Sequence, residues 1–130
     1  MTFDEEQLRQ NRLERARNAY AEAEILFASN MILGTVNRLY YACFYAVSAY
    51  LLSQKMTAIT HSGVKTIFNR ELVKTGKIDA SYGHFFNKLF TYRQEADYAD
   101  EALFTEEEVG QMLLTVSNFI SEIEKIITPE

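Results

Sequence analysis

The sequence is poor in the residues that build disulfides, metal sites and nucleophilic active sites. It contains one cysteine, Cys43, so no disulfide can form within the chain. It contains two histidines and no cluster of cysteine and histidine with the spacing of a structural zinc site. It also lacks a glycine-rich phosphate loop and a serine or cysteine nucleophile beside a base. These absences argue against zinc modules, P-loop proteins and covalent hydrolases, and we expect no cofactor.

Positive charge and membrane-length apolar runs are also scarce. The formal net charge is -5, which argues against broad non-specific binding of nucleic acid and leaves room only for a local basic pocket. The uncharged stretch that follows Arg38 ends near Leu52, which is shorter than the ~20 residues that a bilayer requires. The acidic start of the chain, residues 1–6, lacks the basic and apolar regions of a secretory signal. We therefore expect a cytoplasmic protein that is not inserted in a membrane.

The rest of the composition is that of an ordinary globular protein. A chain of 130 residues, 48% of them hydrophobic, predicts one domain over residues 1–130. The stretch from Asn37 to Leu52 has no charge after Arg38 and is apolar or aromatic on every face, which is typical of a helix at the centre of a bundle. No segment alternates in the manner of a strand. We therefore predict an all-α fold, an up-and-down four-helix bundle with an additional short helix.

Capping and stop signals place the ends of the predicted helices. Thr2 with Glu5, and Thr105 with the glutamates that follow it, form capping-box patterns. A short third helix is capped by the segment that begins at Thr60 and is followed by Gly76. The predicted breaks and boundaries are Ser29-Asn30, a second helix from Met31 to Gln54, a loop over 55–59, a fourth helix from Ser81, a loop over 97–104, and an end at Thr128-Pro129.

The segment from Tyr92 to Asp100 is the first candidate site, because it combines an arginine with carboxylates and tyrosines at a helix end. Arg93 and Asp97 are four residues apart and can form a surface ion pair, a contact worth only a few tenths of a kcal/mol. Alternatively, the planar fork of Arg93 binds a phosphate while Asp97 or Tyr98 orients it.

Arg38 is the second candidate, since it is the one charge close to the predicted core. A buried charge needs a partner. A structural salt bridge to a carboxylate such as Asp97 is the favoured role of Arg38, and a ligand site is the alternative.

The two histidines are candidates for acid-base chemistry, because a free imidazole titrates near neutrality. His84 precedes Arg93 by nine residues, which places it on the opposite side of the same helix and makes it a poor partner within one chain. His61 lies in the segment that starts the third helix. A capping or packing role is favoured there over catalysis.

Four stretches of the chain carry a resemblance to a known family. They are Asn37 to Ala46, with the sequence Asn-Arg-Leu-Tyr-Tyr-Ala-Cys-Phe-Tyr-Ala, then Thr60 to Val64, Val73 to Gly76, and Arg93 to Tyr98. In their order and spacing, from about residue 21 to residue 123, they resemble the HEPN family, prokaryotic helical domains that are often paired with minimal nucleotidyltransferases.

The resemblance implies a dimeric helical bundle connected with nucleotides, RNA or a nucleotidyltransferase partner. Ribonuclease members carry an arginine that is followed, after four to six residues, by a histidine. Arg93 matches the arginine, but Tyr98 stands five positions further on. A tyrosine with a pKa near 10 is a poor general base at neutral pH, which argues against cleavage.

Three functional hypotheses remain open at this point. The first is a non-catalytic, homodimeric partner of a nucleotidyltransferase, in a pair of the toxin-antitoxin kind. It binds a nucleotide or RNA through Arg93, Asp97, Tyr98, Arg38 and His61. The second is a dimeric, metal-independent endoribonuclease in which Arg93 stabilises the transition state and His61 or His84 reaches in from the other subunit. The third is a structural partner whose motif residues only hold the bundle together.

Overall fold

The computed structural model describes residues 3–56, 60–98 and 104–127. These ranges form five α-helices and one π turn, and no strand is present among them. The elements are α1 (Phe3–Ala28), α2 (Ile32–Ser53), α3 (His61–Phe68), the π turn (Asn69–Val73), α4 (Ala80–Tyr98) and α5 (Glu106–Ile127). The predicted all-α fold with four long helices and a shorter one is confirmed.

The four long helices alternate in direction, as an up-and-down bundle requires. A tight turn joins α1 to α2, and Asn30 adopts a left-handed backbone conformation there with φ 61°. Contacts between α1 and α5 pair the end of one helix with the start of the other, because Phe27 lies beside Gly110 and Arg17 pairs with Glu124. The α3 helix and the π turn lie in the connection between α2 and α4.

The α2 helix occupies the centre of the bundle. It packs against α1, α3, α4 and α5. Eleven of its side chains are buried, among them Tyr40 and Cys43, which are fully inaccessible. Burial also raises the pKa of the Cys43 thiol, so the cysteine is an inert core residue. No helix within the described ranges is long and apolar enough to cross a membrane.

Aromatic rings join the helices in the core. Phe86 of α4 stacks on Tyr40 of α2 with ring centroids 6.0 Å apart and an interplanar angle of 3°. Phe86 also meets Phe68 of α3 at 5.1 Å and Phe119 of α5 at 5.7 Å. This aromatic cluster, Tyr40, Phe68, Phe86 and Phe119, therefore connects four helices through side chains that are almost completely buried.

Most of the predicted helix ends agree with the structure. The Thr60 hydroxyl accepts a hydrogen bond from the amide of Gly63 at 2.9 Å and caps α3. Thr105 and Glu108 exchange side-chain to backbone hydrogen bonds at the start of α5, which is the predicted capping box. Gly76 has φ +77° and follows the π turn, where the stop was expected.

Three boundaries differ from the prediction. The α4 helix begins at Ala80, because Asp79 Oδ1 accepts a hydrogen bond from the Ser81 amide. The same helix continues through Asp97 and Tyr98, where a loop was predicted. The predicted third helix is an α-helix followed by the π turn. The predictions for Thr2, Thr128-Pro129 and the loop segments 57–59 and 99–103 lie outside the described residues.

Candidate functional site

Four of the five residues predicted as a ligand site lie together where α2, α3 and α4 meet. We call this group the Arg93 cluster; its members are Asn37, Arg38, Tyr40, Tyr41, His61, Arg93 and Asp97. Three helices contribute to it because α2 runs antiparallel to α4, which brings residue 37 beside residue 97 and residue 41 beside residue 93. The short α3 then places His61, its first residue, against the tyrosines of α2.

The guanidinium of Arg93 is held on two sides. Its Nη2 donates a hydrogen bond to the Tyr41 hydroxyl at 3.0 Å. Its buried Nε lies 3.3 Å from Oδ2 of Asp97, without the alignment of a hydrogen bond, so this contact is an ion pair. Within the described ranges no hydrogen bond or ion pair is found for the third nitrogen, Nη1, and the Arg93 side chain is 23% exposed. Arg93 is therefore oriented by the protein while part of its side chain remains exposed to solvent.

Arg38 is tied to its neighbours more completely than Arg93. Its Nε and Nη2 donate to Asn37 Oδ1 at 3.1 and 2.9 Å, and its Nη1 donates to Glu22 Oε1 at 3.3 Å. The predicted partner, Asp97, pairs with Arg93 instead. Glu22 takes that place because α1 and α2 are antiparallel neighbours, which brings position 22 opposite position 38. Asn37 also donates to Asp97 at 3.3 Å and so links the two arginines.

Tyr41 lies next to both guanidinium groups. The Cζ atom of Arg38 is 4.9 Å from the centroid of the Tyr41 ring, and that of Arg93 is 5.5 Å from it. Contacts of this kind between a cation and an aromatic ring are attractive, and more so when they are shielded from water. The attraction of both guanidinium groups to the Tyr41 ring therefore offsets part of the repulsion between the two positive charges.

His61 completes the cluster from α3. Its Nδ1 lies 2.8 Å from the hydroxyl oxygen of Tyr40, and its ring lies 4.6 Å from that of Phe44 between centroids. Burial, with a smaller contribution from the positive charge of Arg93, lowers the pKa of His61 below its ordinary value. The imidazole is therefore neutral at pH 7. Of the capping or packing role that the sequence favoured for His61, the capping belongs to Thr60, while the His61 ring packs against Tyr40 and Phe44.

Two of the sequence-predicted residues lie apart from the cluster. Tyr98 is 88% exposed in the last position of α4, and no contact to another side chain is found for it within the described ranges. His84 is exposed and lies two and a half turns before Arg93, in agreement with its predicted position on the opposite side of the helix.

Sequence reasoning did not assign Asn37, Tyr40 and Tyr41 to the site. Both tyrosines belong to the aromatic stretch that predicts the central helix, where packing accounts for them, and this is correct for the ring of Tyr40. The available signal was that Tyr40 follows Asn37 by three residues and Tyr41 follows Arg38 by three, because residues three and four apart on a helix share a face. The hydroxyl partners, however, come from α3 and α4, and no local pattern reveals them.

A separate groove lies between α1 and α5, with a volume of about 160 Å³. Its lining is Arg17, Tyr20, Ser117, Ile120 and Ser121. Two of its polar side chains are already engaged, since Arg17 pairs with Glu124 and the Tyr20 hydroxyl donates to the Leu113 carbonyl at 3.0 Å. The Arg93 cluster differs in that two arginines lie against one tyrosine ring.

The chemistry of the Arg93 cluster suits an anion. Arg93 offers an oriented, charged donor, and charge-assisted hydrogen bonds from arginine to phosphate are about twice as strong as neutral ones. Within the part of the chain that the structure describes, no group of histidine, cysteine and carboxylate side chains could hold a metal ion.

The HEPN domain matches residues 10–126 of the chain. The chain belongs to the HEPN family. This match covers all of α2, α3 and α4 and therefore the whole Arg93 cluster. The helical bundle is the architecture that the resemblance implied.

Individual relatives extend over most of the chain. A UPF0332 protein of Thermotoga maritima is 42% identical over 113 residues, which are 87% of this chain and 86% of the relative. A protein of Methanocaldococcus jannaschii named "Putative toxin MJ0142" is 31% identical over 115 residues, 88% of this chain and 78% of the relative. A UPF0332 protein of Gloeobacter violaceus is 32% identical over 69 residues, 53% of this chain and 55% of the relative.

Proposed function

We propose that this HEPN protein binds a phosphate group of a nucleotide or an RNA strand at the Arg93 cluster. The observation that supports this most directly is the environment of Arg93: two of its nitrogens contact Tyr41 and Asp97, and its side chain is still 23% exposed. A guanidinium oriented in this way loses little side-chain entropy when it binds phosphate. His61 supplies a second, neutral polar group from another helix.

The net charge of -5 confines this activity to a local site. Non-specific binding along the backbone of a nucleic acid requires a basic surface, so we expect few phosphate contacts. A single nucleotide or a short single-stranded segment fits this expectation better than a duplex.

The biological role that we propose is that of a toxin-like member of a pair with a nucleotidyltransferase, acting as a homodimer in the cytoplasm. The family membership and the name of the Methanocaldococcus jannaschii relative support a toxin-like role. The partner can be tested by co-expression with a minimal nucleotidyltransferase and co-purification. Size-exclusion chromatography with light scattering tests the dimer, and a monomer at micromolar concentration would contradict that part of the proposal.

Phosphate binding can be tested with the variant Arg93→Gln, which keeps a polar side chain and removes its charge. The probe is a short, fluorescently labelled single-stranded RNA, with AMP as a competitor. We expect Arg93→Gln to weaken binding about tenfold or more, since a hydrogen bond to a charged group contributes about 1.5–3 kcal/mol. The slope of log affinity against log salt should also fall by about 0.7 for the lost phosphate contact.

The matched control for this test is Arg70→Gln. Arg70 is an exposed arginine on the π turn, paired with Glu71 next to it and outside the cluster. The Arg70→Gln variant removes the same charge from the protein and should leave the affinity for the RNA probe nearly unchanged. Equal losses for the two variants would mean that only overall charge matters, and the proposed site would be wrong.

A second candidate function, cleavage of RNA, is favoured by the place of His61. The histidine that the ribonuclease pattern lacks at position 98 has a counterpart from α3, within the same chain and beside Tyr40 and Tyr41. Incubation of labelled RNA with the wild type, Arg93→Ala and His61→Asn tests this candidate. Cleavage by the wild type that both variants lose, with helicity unchanged by circular dichroism, would replace binding with catalysis as the main function.

A further inference from the structure

The hydroxyl group of Tyr40 has an unusual position, since it is fully buried and faces a histidine that is not. Tyr40 has a relative exposure of 0%. Within the described residues its hydroxyl has one hydrogen-bond partner, Nδ1 of His61, at 2.8 Å. His61 is half-buried, and no hydrogen bond of its other nitrogen, Nε2, is found among the described residues. The pair therefore has a fully buried end at the phenol and a partly exposed end at the imidazole.

Hydrogen-bond satisfaction decides which atom holds the proton between the two side chains. A neutral imidazole carries its proton on one nitrogen, and a phenol can donate one hydrogen bond or accept. If Nδ1 of His61 donated to Tyr40, the phenol proton would be buried without an acceptor among the described residues, which costs about 1–3 kcal/mol. If the phenol donates to Nδ1, its proton is satisfied and the imidazole proton lies on Nε2 of the half-buried ring.

We propose that Tyr40 is a positioning residue whose hydroxyl donates to Nδ1 of His61 and thereby fixes the imidazole in the tautomer with its proton on Nε2. The arrangement requires both groups to be neutral. Burial raises the pKa of Tyr40 and lowers that of His61, so both are neutral at pH 7.

This tautomer gives His61 a defined role toward a ligand. In this tautomer Nε2 is a hydrogen-bond donor, which suits an anionic oxygen such as that of a phosphate. It has no free lone pair that could take a proton from a hydroxyl group. This consequence rests on the proposed function. It favours binding over cleavage, because a general base in RNA cleavage would need an unprotonated Nε2.

The tautomer can be measured by NMR without any ligand. In a long-range ¹H–¹⁵N correlation spectrum of ¹⁵N-labelled protein at slightly alkaline pH, an unprotonated imidazole nitrogen resonates far downfield of a protonated one. The two nitrogens are told apart because Nε2 couples to both carbon-bound ring protons. We expect His61 to show a protonated Nε2 and an unprotonated Nδ1. A proton on Nδ1, or an even mixture of tautomers, would overturn the proposal.

The second histidine of the chain, His84, is an internal reference. It is exposed, so its two tautomers should interconvert and give averaged shifts. A His84→Gln variant identifies its signals by their loss. The variant Tyr40→Phe removes only the hydroxyl group, and we expect the His61 shifts to move toward those of His84. Unchanged His61 shifts in a folded Tyr40→Phe protein would also contradict a positioning role. If that variant does not fold, the wild-type spectrum decides.

Addition of the single-stranded RNA probe separates this inference from the proposed function. A shift of His61 Nε2 on titration supports both. The two can fail separately. If the tautomer is fixed, but RNA does not shift the Nε2 signal and Arg93→Gln binds RNA as well as the wild type does, phosphate binding is rejected and the role of Tyr40 remains intact.

Discussion

Among single residues, Gly83 illustrates how closely two elements of the fold approach each other. It lies buried in α4 against the π turn. A Cβ atom at this position would lie 2.7 Å from Cγ2 of Val73 and 3.2 Å from Oδ1 of Asn69. Asn69 is itself fixed, since its Nδ2 donates to the Lys65 carbonyl and to Asn87 Oδ1. The missing side chain therefore allows the π turn, and with it α3, to lie directly on α4.

Gly83→Ala should lower the free energy of unfolding by about 1–3 kcal/mol, the usual effect of overpacking a core. Urea unfolding followed by circular dichroism measures this. Gly110→Ala is the control, because a Cβ there lies at an ordinary 3.5 Å from Phe27 and alanine favours a helix by up to about 1 kcal/mol. The control should be neutral or stabilising. Similar behaviour of the two variants would show that close packing at Gly83 is unimportant.

Among the elements, α5 has the best-defined start. The Thr105 hydroxyl accepts a hydrogen bond from the Glu108 amide at 3.1 Å, and Glu108 Oε1 accepts one from the Thr105 amide at 2.9 Å. The backbone hydrogen bond lowers the pKa of the Glu108 carboxyl. Two amides that would lack partners at the helix start are satisfied in this way.

Thr105→Ala should cost about 1 kcal/mol of stability, the typical value for removal of a cap. Thr115→Ala on the same helix is the matched control, because its hydroxyl only donates to the carbonyl of Gln111 and alanine is the better helix former. Thermal unfolding of both variants measures the difference. A control as destabilised as Thr105→Ala would argue that any threonine of α5, rather than the cap, contributes the effect.

The sequence predicted the individual helices better than it predicted how they pack against one another. Helix starts at Thr60 and Thr105 and the central α2 were predicted because caps and apolar patterns are local signals. The extension of α4 through Tyr98 was missed, because the polar composition after Asp97 resembles a loop and only tertiary contacts decide how far a helix continues. The resemblance identified Arg93 and His61, but their meeting at α2 depends on helix crossings that no local pattern contains.

At the scale of the whole molecule, the aromatic cluster unites the bundle. Phe119 of α5 meets Phe68 of α3 at 5.6 Å and Phe86 of α4 at 5.7 Å between ring centroids. Phe86 in turn stacks on Tyr40, which also belongs to the Arg93 cluster. Core and candidate site therefore share a residue, and the position of His61 depends on how the core packs.

Phe119→Ala should lower stability by about 3–5 kcal/mol, since it leaves a cavity among rings that cannot collapse into it. Chemical denaturation of the purified protein measures this, with Phe119→Leu as a milder change if the alanine variant is unfolded. Leu114→Ala is the control on the same helix, because Leu114 is 61% exposed, and it should change stability by no more than about 0.5 kcal/mol. A small effect of both phenylalanine variants would mean that the cluster adapts to the loss.

The origin of the Arg93 cluster in three separate helices has a consequence for local opening. An anion that bridges Arg93 on α4 and His61 on α3 would act as a non-covalent crosslink between segments about thirty residues apart. Detachment of α3 would then require release of the anion. The free energy of this local opening of α3 would rise by RT ln(1 + [L]/Kd), where [L] is the anion concentration. The increase is about 2.7 kcal/mol when that concentration is a hundred times Kd. Proteases that attack the chain near α3 would accordingly cut the empty protein faster than the occupied one.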